Sequence, residues 1–286
     1  MNAQSIEKAA VLGSGTMGHG IAQVLGQWSI ETRMFDVDAG ALERGLDRIR
    51  ENLAKGVQRN KIPNDIREKT LALVSGTTDL AQAVDGVQLV IEAVPEKIEL
   101  KQSIFREISG LLGPDVLLAT NTSSLSISEI AGVARHPERV VGMHFFNPVH
   151  IMSLVEVVDA EQSSEEAVAC AMELGKRIAK DPILVKDSPG FASSRLGIAI
   201  GMEAIRMVED GVASAEDIDK AMTLGYGFPM GPLRLTDLVG LDVRLSISEY
   251  LARTLGDRFA APKLLRDKVE RGELGKKSGR GFYDWD

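Results

Sequence analysis

The stretch KAAVLGSGTMGHGIAQVLG, residues 8–26, decides how the N-terminal part of this chain folds. An apolar run ends in Gly13-x-Gly15-x-x-Gly18 and passes directly into a helical pattern, which predicts strand, loop and helix in that order. Gly13 permits the tight turn, Gly15 lets the backbone approach a pyrophosphate, and Gly18 lets the helix pack closely on the strand. The helix N-terminus would then face the anion. A glycine turn without a ligand is the alternative.

An acidic residue at the end of the next predicted strand indicates which ligand the loop binds. Asp36 lies 18 residues after Gly18, about where a carboxylate meets the ribose hydroxyls of a bound dinucleotide. The carboxylate would repel a 2′-phosphate, and Val37 stands where an NADP-binding protein often has Arg. We therefore expect NAD as the cofactor. The loop residues expected to contact it are Gly13, Gly15, Thr16, Met17 and Gly18.

The first half of the chain alternates β-branched runs with helical patterns, which predicts βαβ units and a parallel sheet. The predicted strands are residues 8–13, 32–36, 87–94, 116–120, 139–146, 153–159 and 183–187. SISE (126–129) has the form of a capping box and predicts another helix.

The pattern changes at KDSPG (186–190), where Ser188 can cap a helix and Pro189 can occupy its first position. That helix would run to about Gly211. SAED (214–217) offers a further cap, helical periods continue to about residue 272, and no convincing strand follows. We expect an α/β domain over residues 1–187 and an all-helical domain over 188–286.

Composition excludes several classes of protein. The net charge of −8 over 286 residues argues against a nucleic-acid partner, whose phosphates require a basic face. No apolar stretch approaches the length of a membrane span, and the N-terminal sequence lacks an export signal. The single cysteine, Cys170, excludes an internal disulfide and a cysteine-based zinc site. We expect a cytoplasmic protein without a membrane partner.

Polar side chains lie at or just beyond the ends of three of the predicted strands. In doubly wound sheets, ligands bind beyond the carboxyl ends of the strands, so these side chains are candidates for a site. They are Glu92, Lys97, Asn121, Thr122, Ser123, Ser124, His144 and Asn147. Ser123 and Ser124 could equally be turn and helix-cap residues.

The strand SLVEVVD (153–159) contains a carboxylate among apolar residues. Glu156 is costly to bury unless it has a partner. The preceding strand is joined to it by a short Asn-Pro loop and carries His144, and a Glu–His pair would give the imidazole the basicity that a general base requires. An exposed Glu156 and a core His144 are the alternative. A metal pair of His144 and His150 lacks a third ligand, and no metal is predicted.

Taken together, these motifs resemble the L-3-hydroxyacyl-CoA dehydrogenases, especially the short bacterial members of that family. The resemblance covers almost the whole chain and includes GSGTMGHGIAQ, IEAVPE, NTSSLSISEI, HFFNPV, LVEVV, DSPGF, DIDKAM, GYGFPMGPLRLTDLVGLD and GKKSGRGFYDW. It implies a Rossmann-like NAD-binding domain, a helical domain that also forms a homodimer contact, and an acyl-CoA substrate in the cleft between them.

The resemblance also implies residue roles. His144 would be the general base and Glu156 its orienting partner, Ser123 would hydrogen-bond the 3-hydroxyl of the substrate, and Asn147 would lie beside nicotinamide and substrate. Positions matching cofactor contacts are Asp36, Glu92, Lys97, Asn121 and Ser123. The implied reaction is the NAD-dependent oxidation of a short-chain (S)-3-hydroxyacyl-CoA to the 3-oxoacyl-CoA, and its reverse.

Two positions depart from the family pattern. After DSPGF the family usually has Asn as its fourth active-site residue, where this chain has Ser194. Serine can still donate one hydrogen bond but lacks the second donor of the amide, so Ser194 would act through water, or Ser193 would contribute, or the enzyme would be slower. His150 stands where the family more often has Pro.

A basic helix face points to the CoA moiety. Residues 41–61 read as a helix, and its polar face carries Arg44, Arg48, Asn52, Lys55 and Arg59. A solvated charged face is the alternative. The family uses basic residues in this region for CoA, which selects Lys55 and Arg59.

Two further functions compete with short-chain 3-hydroxyacyl-CoA oxidation. The same fold could act on 3-hydroxyadipyl-CoA or on a free sugar acid, as the gulonate dehydrogenase relatives do; the basic helix face argues against the sugar acid. The chain could also be a non-catalytic dinucleotide-binding protein, as in the lens crystallin relatives. Ser123, His144 and Glu156 argue against lost activity, whereas Ser194 favours it.

Overall fold

The computed structural model describes residues 2–286, which fall into two compact units, one ending at Ser188 and the other spanning Pro189–Asp286. The division lies one residue beyond the predicted boundary. Within the described residues, no helix combines the length and the apolar composition needed to cross a bilayer.

The first unit is built on one sheet of eight strands. In chain order these are β1 (Lys8–Leu12), β2 (Glu31–Phe35), β3 (Val74–Thr77), β4 (Leu89–Glu92), β5 (Leu117–Thr120), β6 (Val140–Phe145), β7 (Leu154–Asp159) and β8 (Asp181–Lys186). Their spatial order is β3-β2-β1-β4-β5-β6-β7-β8, and all neighbours are parallel except β6 and β7. The winding direction reverses between β1 and β4, so the carboxyl ends of these strands form the crevice where such sheets bind ligands.

Seven helices connect the strands of this unit. They are α1 (Gly18–Gln27), α2 (Ala39–Gln58), α3 (Asn64–Leu73), α4 (Leu80–Val84), α5 (Ile98–Leu111), α6 (Ile127–Ala131) and α7 (Glu165–Arg177). On α2, the apolar side chains of Leu42, Ile49 and Leu53 recur at helical spacing and are buried, on the side opposite the basic residues. Short 3₁₀ turns occur at Ala3–Ser5 and Pro137–Arg139.

The predicted α/β fold is confirmed, and each of the seven predicted strands is present within about two residues of its predicted limits. The eighth, β3, was missed because this short edge strand reads VSGT, with Ser75 and Gly76 exposed, and so lacks an apolar run. The capping box is present: Ser126 Oγ accepts a hydrogen bond from the Glu129 amide at 3.2 Å, at the start of α6.

The second unit is helical throughout, apart from isolated bridges near the C-terminus. Its α-helices are α8 (Ser193–Glu209), α9 (Ala215–Lys220), α10 (Pro232–Val239), α11 (Leu241–Leu255) and α12 (Lys263–Glu270). A π-helical turn, Ala221–Gly225, follows α9, and 3₁₀ turns lie at Asp257–Phe259 and Lys276–Ser278. The predicted cap at Ser214 is present, accepting from the Asp217 amide at 3.1 Å.

The predicted start of α8 is wrong. Ser188 was expected to cap this helix, but α8 begins at Ser193. Gly190 and Phe191 both have positive φ, +74° and +48°, which places two consecutive residues in the left-handed region and excludes a right-handed helix there. The backbone therefore turns before α8 begins.

Candidate active site

The glycine loop has the geometry its spacing predicts. Gly13 has φ +101°, and a Cβ there would lie 2.7 Å from the carbonyl oxygen of Ala93. A Cβ on Gly18 would lie 1.7 Å from the carbonyl oxygen of Gly13, so this glycine lets α1 begin directly against the loop. Gly15 has open space beside it and is exposed, with Thr16 next to it. The loop therefore presents accessible backbone at the N-terminus of α1, where an anion is favoured.

Asp36 lies beside this loop at the end of β2. Its Oδ2 accepts hydrogen bonds from Ser14 Oγ at 2.7 Å and Ser14 N–H at 3.0 Å, and Oδ1 accepts from Asp38 N–H at 3.1 Å. Partial burial raises the pKa of this carboxyl, but the hydrogen bonds from Ser14 and from the Asp38 and Val37 amides outweigh it, and the net pKa lies below its usual value. A fixed negative charge thus lies beside the glycine loop. Such a charge accepts hydrogen bonds from ribose hydroxyls and repels a 2′-phosphate.

A carboxylate that sequence reasoning missed organises the loop after β5. Glu96 Oε1 accepts hydrogen bonds from Thr122 Oγ1 at 2.5 Å, Ser123 N–H at 2.9 Å and Ser123 Oγ at 3.2 Å. Its other oxygen lies 3.5 Å from Nζ of Lys101. Ser123 is therefore held at the strand end through both its backbone and its hydroxyl.

Glu92, expected to contact the cofactor, is fully buried instead. Its carboxylate accepts from Lys101 Nζ, Thr120 Oγ1 and the Val94 amide, each at 2.7 Å. With both oxygens occupied by protein donors, Glu92 is a structural residue, and its assignment to the cofactor site is wrong. Lys97 has an exposed side chain at the N-cap of α5 and does not join this cluster; the buried cation is Lys101.

Asn121 is almost fully buried and joins two neighbouring strands. Its side-chain Oδ1 accepts a hydrogen bond from the backbone N–H of Phe145 at 2.8 Å. Its backbone N–H donates to the carbonyl oxygen of Glu92 at 2.7 Å. Asn121 therefore fixes the carboxyl ends of β4, β5 and β6 relative to one another.

His144 and Glu156 form a pair, which was one of the two arrangements predicted for them. They face each other in the antiparallel register of β6 and β7, and His144 Nδ1 lies 2.7 Å from Glu156 Oε2. Glu156 is 0% exposed and His144 7%. A buried carboxylate beside Nδ1 favours the tautomer with a proton on Nδ1, which leaves Nε2 as the ring nitrogen that can act as a base.

The strand register brings this histidine to the Ser123 loop. Thr120 of β5 pairs with Gly142 of β6 in parallel register, so His144, two residues on, lies beside the segment that begins at Thr122. The ring of Phe146 packs at 4.5 Å from the imidazole, tilted by 47°. The glycine loop, Ser123 and His144 thus lie at the carboxyl ends of β1, β5 and β6, along one edge of the same sheet.

A cavity of about 1000 Å³ lies beside the predicted site in the first unit. Thr16 and Asn147, both predicted site residues, share its lining with Lys55 and Arg59 of the predicted CoA-binding face. Arg44 and Arg48 of the same predicted face do not line it. Lys61 and Lys180, which sequence reasoning missed, do line it.

Two family models match the chain, one on each unit. The model for the 3-hydroxyacyl-CoA dehydrogenase NAD binding domain matches residues 8–188, and that for the 3-hydroxyacyl-CoA dehydrogenase C-terminal domain matches residues 190–285. The chain belongs to the 3-hydroxyacyl-CoA dehydrogenase family. It is therefore an NAD-dependent oxidoreductase, and the prediction of NAD is confirmed.

Individual members of the family are similar over nearly the whole chain. A probable 3-hydroxybutyryl-CoA dehydrogenase of Bacillus subtilis is 43% identical, covering 98% of both chains. The structure of (S)-3-hydroxybutyryl-CoA dehydrogenase from Ralstonia eutropha superposes with a TM-score of 0.94 at 37% identity, covering 99% of this chain and 100% of that one. A 3-hydroxyadipyl-CoA dehydrogenase of Escherichia coli is 41% identical over 98% of this chain and 59% of its own length.

The second unit of this dehydrogenase carries Ser194. It is the second residue of α8 and is half-buried. Its hydroxyl lies on the first turn of the helix, at the position where the family more often has the longer asparagine.

Proposed function

We propose that this dehydrogenase interconverts (S)-3-hydroxybutyryl-CoA and acetoacetyl-CoA, with His144 as general base and Glu156 as its orienting partner. The observation that carries the proposal is the buried 2.7 Å contact between these two residues at the strand ends beside the glycine loop. Bound NAD supplies a hydride acceptor at its nicotinamide ring. Its adenosine ribose is assigned to Asp36, its pyrophosphate to the glycine loop, and its nicotinamide to the side of Asn147.

The protein's own contribution is proton transfer and orientation. Nε2 of His144 takes the proton from the C3 hydroxyl as the C3 hydrogen leaves as hydride, and the imidazolium that forms is stabilised by the Glu156 carboxylate. In the reductive direction the imidazolium returns the proton to the C3 oxygen. Ser123 is assigned a hydrogen bond to the same oxygen, with Glu96 holding it in place.

The CoA moiety is assigned to the cavity of the first unit. Four basic side chains line it, and none of its lining residues is a carboxylate. Those cations are Lys55, Arg59, Lys61 and Lys180. An anionic nucleotide is favoured in such surroundings. Since Thr16 and Asn147 line the same cavity, its occupant would lie next to the proposed reaction centre.

Oxidation of NADH by acetoacetyl-CoA tests the catalytic assignment. We expect the wild-type protein to be active and His144→Gln to lose at least about a hundredfold in kcat, since general-base catalysis contributes about 10²–10⁴-fold. NADH binding, followed by fluorescence titration, should change little. His136→Gln, on a distant turn, is the matched control. Unchanged kcat in His144→Gln would remove this histidine from the reaction.

Charge reversal tests the CoA assignment. We expect Lys55→Glu combined with Arg59→Glu to raise KM for acetoacetyl-CoA about tenfold or more with little change in kcat, because binding away from the reacting atoms is lost. Arg44→Glu, on the same helix but outside the cavity, should leave KM unchanged. If KM is the same in both variants, Lys55 and Arg59 do not bind CoA and only form part of a solvated helix face.

A homodimer formed through the helical unit is part of the proposal, as is a cytoplasmic location. Exposed apolar side chains on α8, α10 and α11 support the dimer, because monomers rarely expose extended apolar patches. They are Leu196, Ile200, Leu235, Leu238, Val239 and Val243. Leu235→Glu with Leu238→Glu should convert a dimer to a monomer in light scattering, whereas a wild-type monomer would exclude the assignment. The free, buried Cys170 agrees with a reducing compartment.

A second substrate, 3-hydroxyadipyl-CoA, is favoured by the 41% identity to the Escherichia coli enzyme of that name. Comparing kcat/KM for 3-hydroxybutyryl-CoA, 3-hydroxyhexanoyl-CoA and 3-hydroxyadipyl-CoA decides between them. The last two have the same chain length, so a preference for the adipyl substrate would show recognition of its distal carboxylate.

A further inference from the structure

Two histidines that the proposed reaction does not use line the first unit's cavity. His19 lies on the first turn of α1, and His150 lies in the loop between β6 and β7. Both side chains are half-buried. His19 Nδ1 lies 2.7 Å from the Gly15 carbonyl oxygen and donates to it, so Nε2 is the nitrogen that it can offer to a ligand. Among residues 2–286, neither ring nitrogen of His150 has a hydrogen-bond partner.

The charged groups around the two rings are cations. Arg48 of α2 acts on His19, and Lys180, which precedes β8, acts on His150. Lys180 is held by the carbonyl oxygens of Val149, at 2.5 Å, and Met152, at 2.8 Å, so its charge is fixed beside the loop. The remaining lining cations are Lys55, Arg59 and Lys61, of which Lys55 pairs with the exposed Glu51. The cavity therefore presents positive charge to both imidazoles.

These surroundings disfavour the charged form of both histidines when the cavity holds no anion. Burial lowers the pKa of His19, the hydrogen bond to Gly15 opposes this in part, and Arg48 lowers it further. Burial also lowers the pKa of His150, with His19 and Lys180 adding to the effect. A bound phosphate has the opposite effect on the pKa of each histidine, because it offers a negative charge and oxygen acceptors to the imidazolium form.

We propose that His19 and His150 form a phosphate-binding pair for the CoA moiety and take up protons from solvent as a CoA phosphate binds. The inference rests on the proposed function, because it takes CoA as the occupant of the cavity. Each imidazole that gains a proton becomes a donor to a phosphate oxygen, and the neutral form contributes no charge. Affinity for CoA should therefore rise as the pH falls from 8 to about 6.5.

Calorimetric titration of the protein with free coenzyme A tests the pair. Repeating the titration at pH 7 in buffers of different ionisation enthalpy gives the number of protons taken up. We expect net uptake of about one proton and a Kd that tightens roughly fivefold to tenfold between pH 8 and 6.5, since one unit of pKa shift corresponds to a tenfold change. His19→Gln with His150→Gln should abolish most of the uptake and flatten the pH dependence, at an unchanged melting temperature.

Two controls make the result decisive, one a variant outside the cavity and the other a ligand without the 3′-phosphate. His136→Gln, outside the cavity, should behave as wild type. The protonation of free CoA is a property of the ligand and is therefore the same in the titration of every variant. Dephospho-CoA, which lacks the 3′-phosphate, separates the two phosphate sources: loss of uptake assigns the pair to the 3′-phosphate, and retained uptake assigns it to the diphosphate.

Two different outcomes separate a failure of the phosphate-binding pair from a failure of the proposed function. If CoA binds but proton uptake is the same in wild type and the double variant, the histidines have no phosphate role. If CoA does not bind at any pH and acetoacetyl-CoA is not reduced, the proposed function itself is wrong. His150→Asn, which keeps a polar side chain but removes the titrating ring, guards against a folding defect in the glutamine variant.

Discussion

Nδ1 of His144 lies 2.7 Å from Oε2 of Glu156, and the two residues are direct partners across the only antiparallel strand pair of the named sheet in residues 2–286. The backbone ladder thus fixes both ends of the contact. Because Glu156 is fully buried, its carboxylate has little access to water, and the imidazole partly satisfies the buried charge. The pair therefore combines a structural need of Glu156 with a chemical use of His144.

Glu156→Gln should separate these two functions. The amide keeps the shape but removes the charge that stabilises the imidazolium, so we expect kcat for acetoacetyl-CoA reduction to fall about a hundredfold. Glu161→Gln, exposed just beyond β7, is the control. A variant with wild-type kcat would show that Glu156 only fills its site.

Glu96 should control the position of Ser123. Its Oε1 receives both hydrogen bonds from that residue, so Glu96→Ala should lower kcat/KM for acetoacetyl-CoA about tenfold to a hundredfold through loss of orientation. Glu99→Ala, exposed in the first turn of α5, should have no effect.

A double-mutant cycle separates positioning from general damage. If Glu96 acts through Ser123, then Glu96→Ala should cost much less in a Ser123→Ala background than in the wild type. Equal losses in both backgrounds would mean that Glu96 acts independently of the serine, for instance by supporting Lys101.

The sequence was sufficient for features that depend on local pattern. The glycine loop follows from spacing alone, and the strands follow from apolar runs. Glu156 could be singled out because a carboxylate among valines needs a partner, and the nearest basic candidate on the adjoining strand was His144. Even so, the pairing was one of two readings until the strand register was known.

Features that depend on three-dimensional neighbours were not predictable. Glu92 ends β4 and Glu96 lies four residues beyond it, but only the start of α5 decides that Lys101 bonds Glu92 at 2.7 Å while Oε1 of Glu96 accepts from Ser123. Likewise, the sequence could not predict that the loop carrying His150 lies beside α1 in the same cavity. Gly20 permits that approach, since a Cβ there would lie 2.9 Å from Cβ of Val149.

Asp36 should decide between NADH and NADPH. Asp36→Ser removes the carboxylate, and we expect the Kd for NADH to weaken about tenfold, because a charge-assisted hydrogen bond contributes about 1.5–3 kcal/mol. NADPH should bind more tightly than to the wild type, because its 2′-phosphate no longer meets a negative charge. Fluorescence titration measures both constants. Asp38→Asn, which retains a cap for α2, should leave the ratio unchanged, and a constant NADH-to-NADPH ratio in Asp36→Ser would contradict the assignment.

Arg244 should destabilise the helical unit at neutral pH. Its side chain is 6% exposed, and within the described residues its Nε has no hydrogen-bond partner. Burial lowers the pKa of this guanidinium from its usual range to about 10. A Cβ on Gly197 of α8 would lie 3.1 Å from its Nη1, so a glycine makes room for it. A buried cation of this kind costs stability unless it is paired.

Replacing this arginine by methionine should therefore stabilise the protein. A folded-state pKa below the unfolded one means that folding carries the full cost of the charge below about pH 10 and loses that cost as the pH rises further. Lowering the pKa to about 10 corresponds to about 3 kcal/mol, so Arg244→Met should gain about 1–3 kcal/mol in urea unfolding at pH 8. The gain should shrink above pH 10. Arg253→Met, exposed on the same helix, should change stability little at any pH, and a destabilised Arg244→Met would show that the guanidinium has a counter-charge in solution.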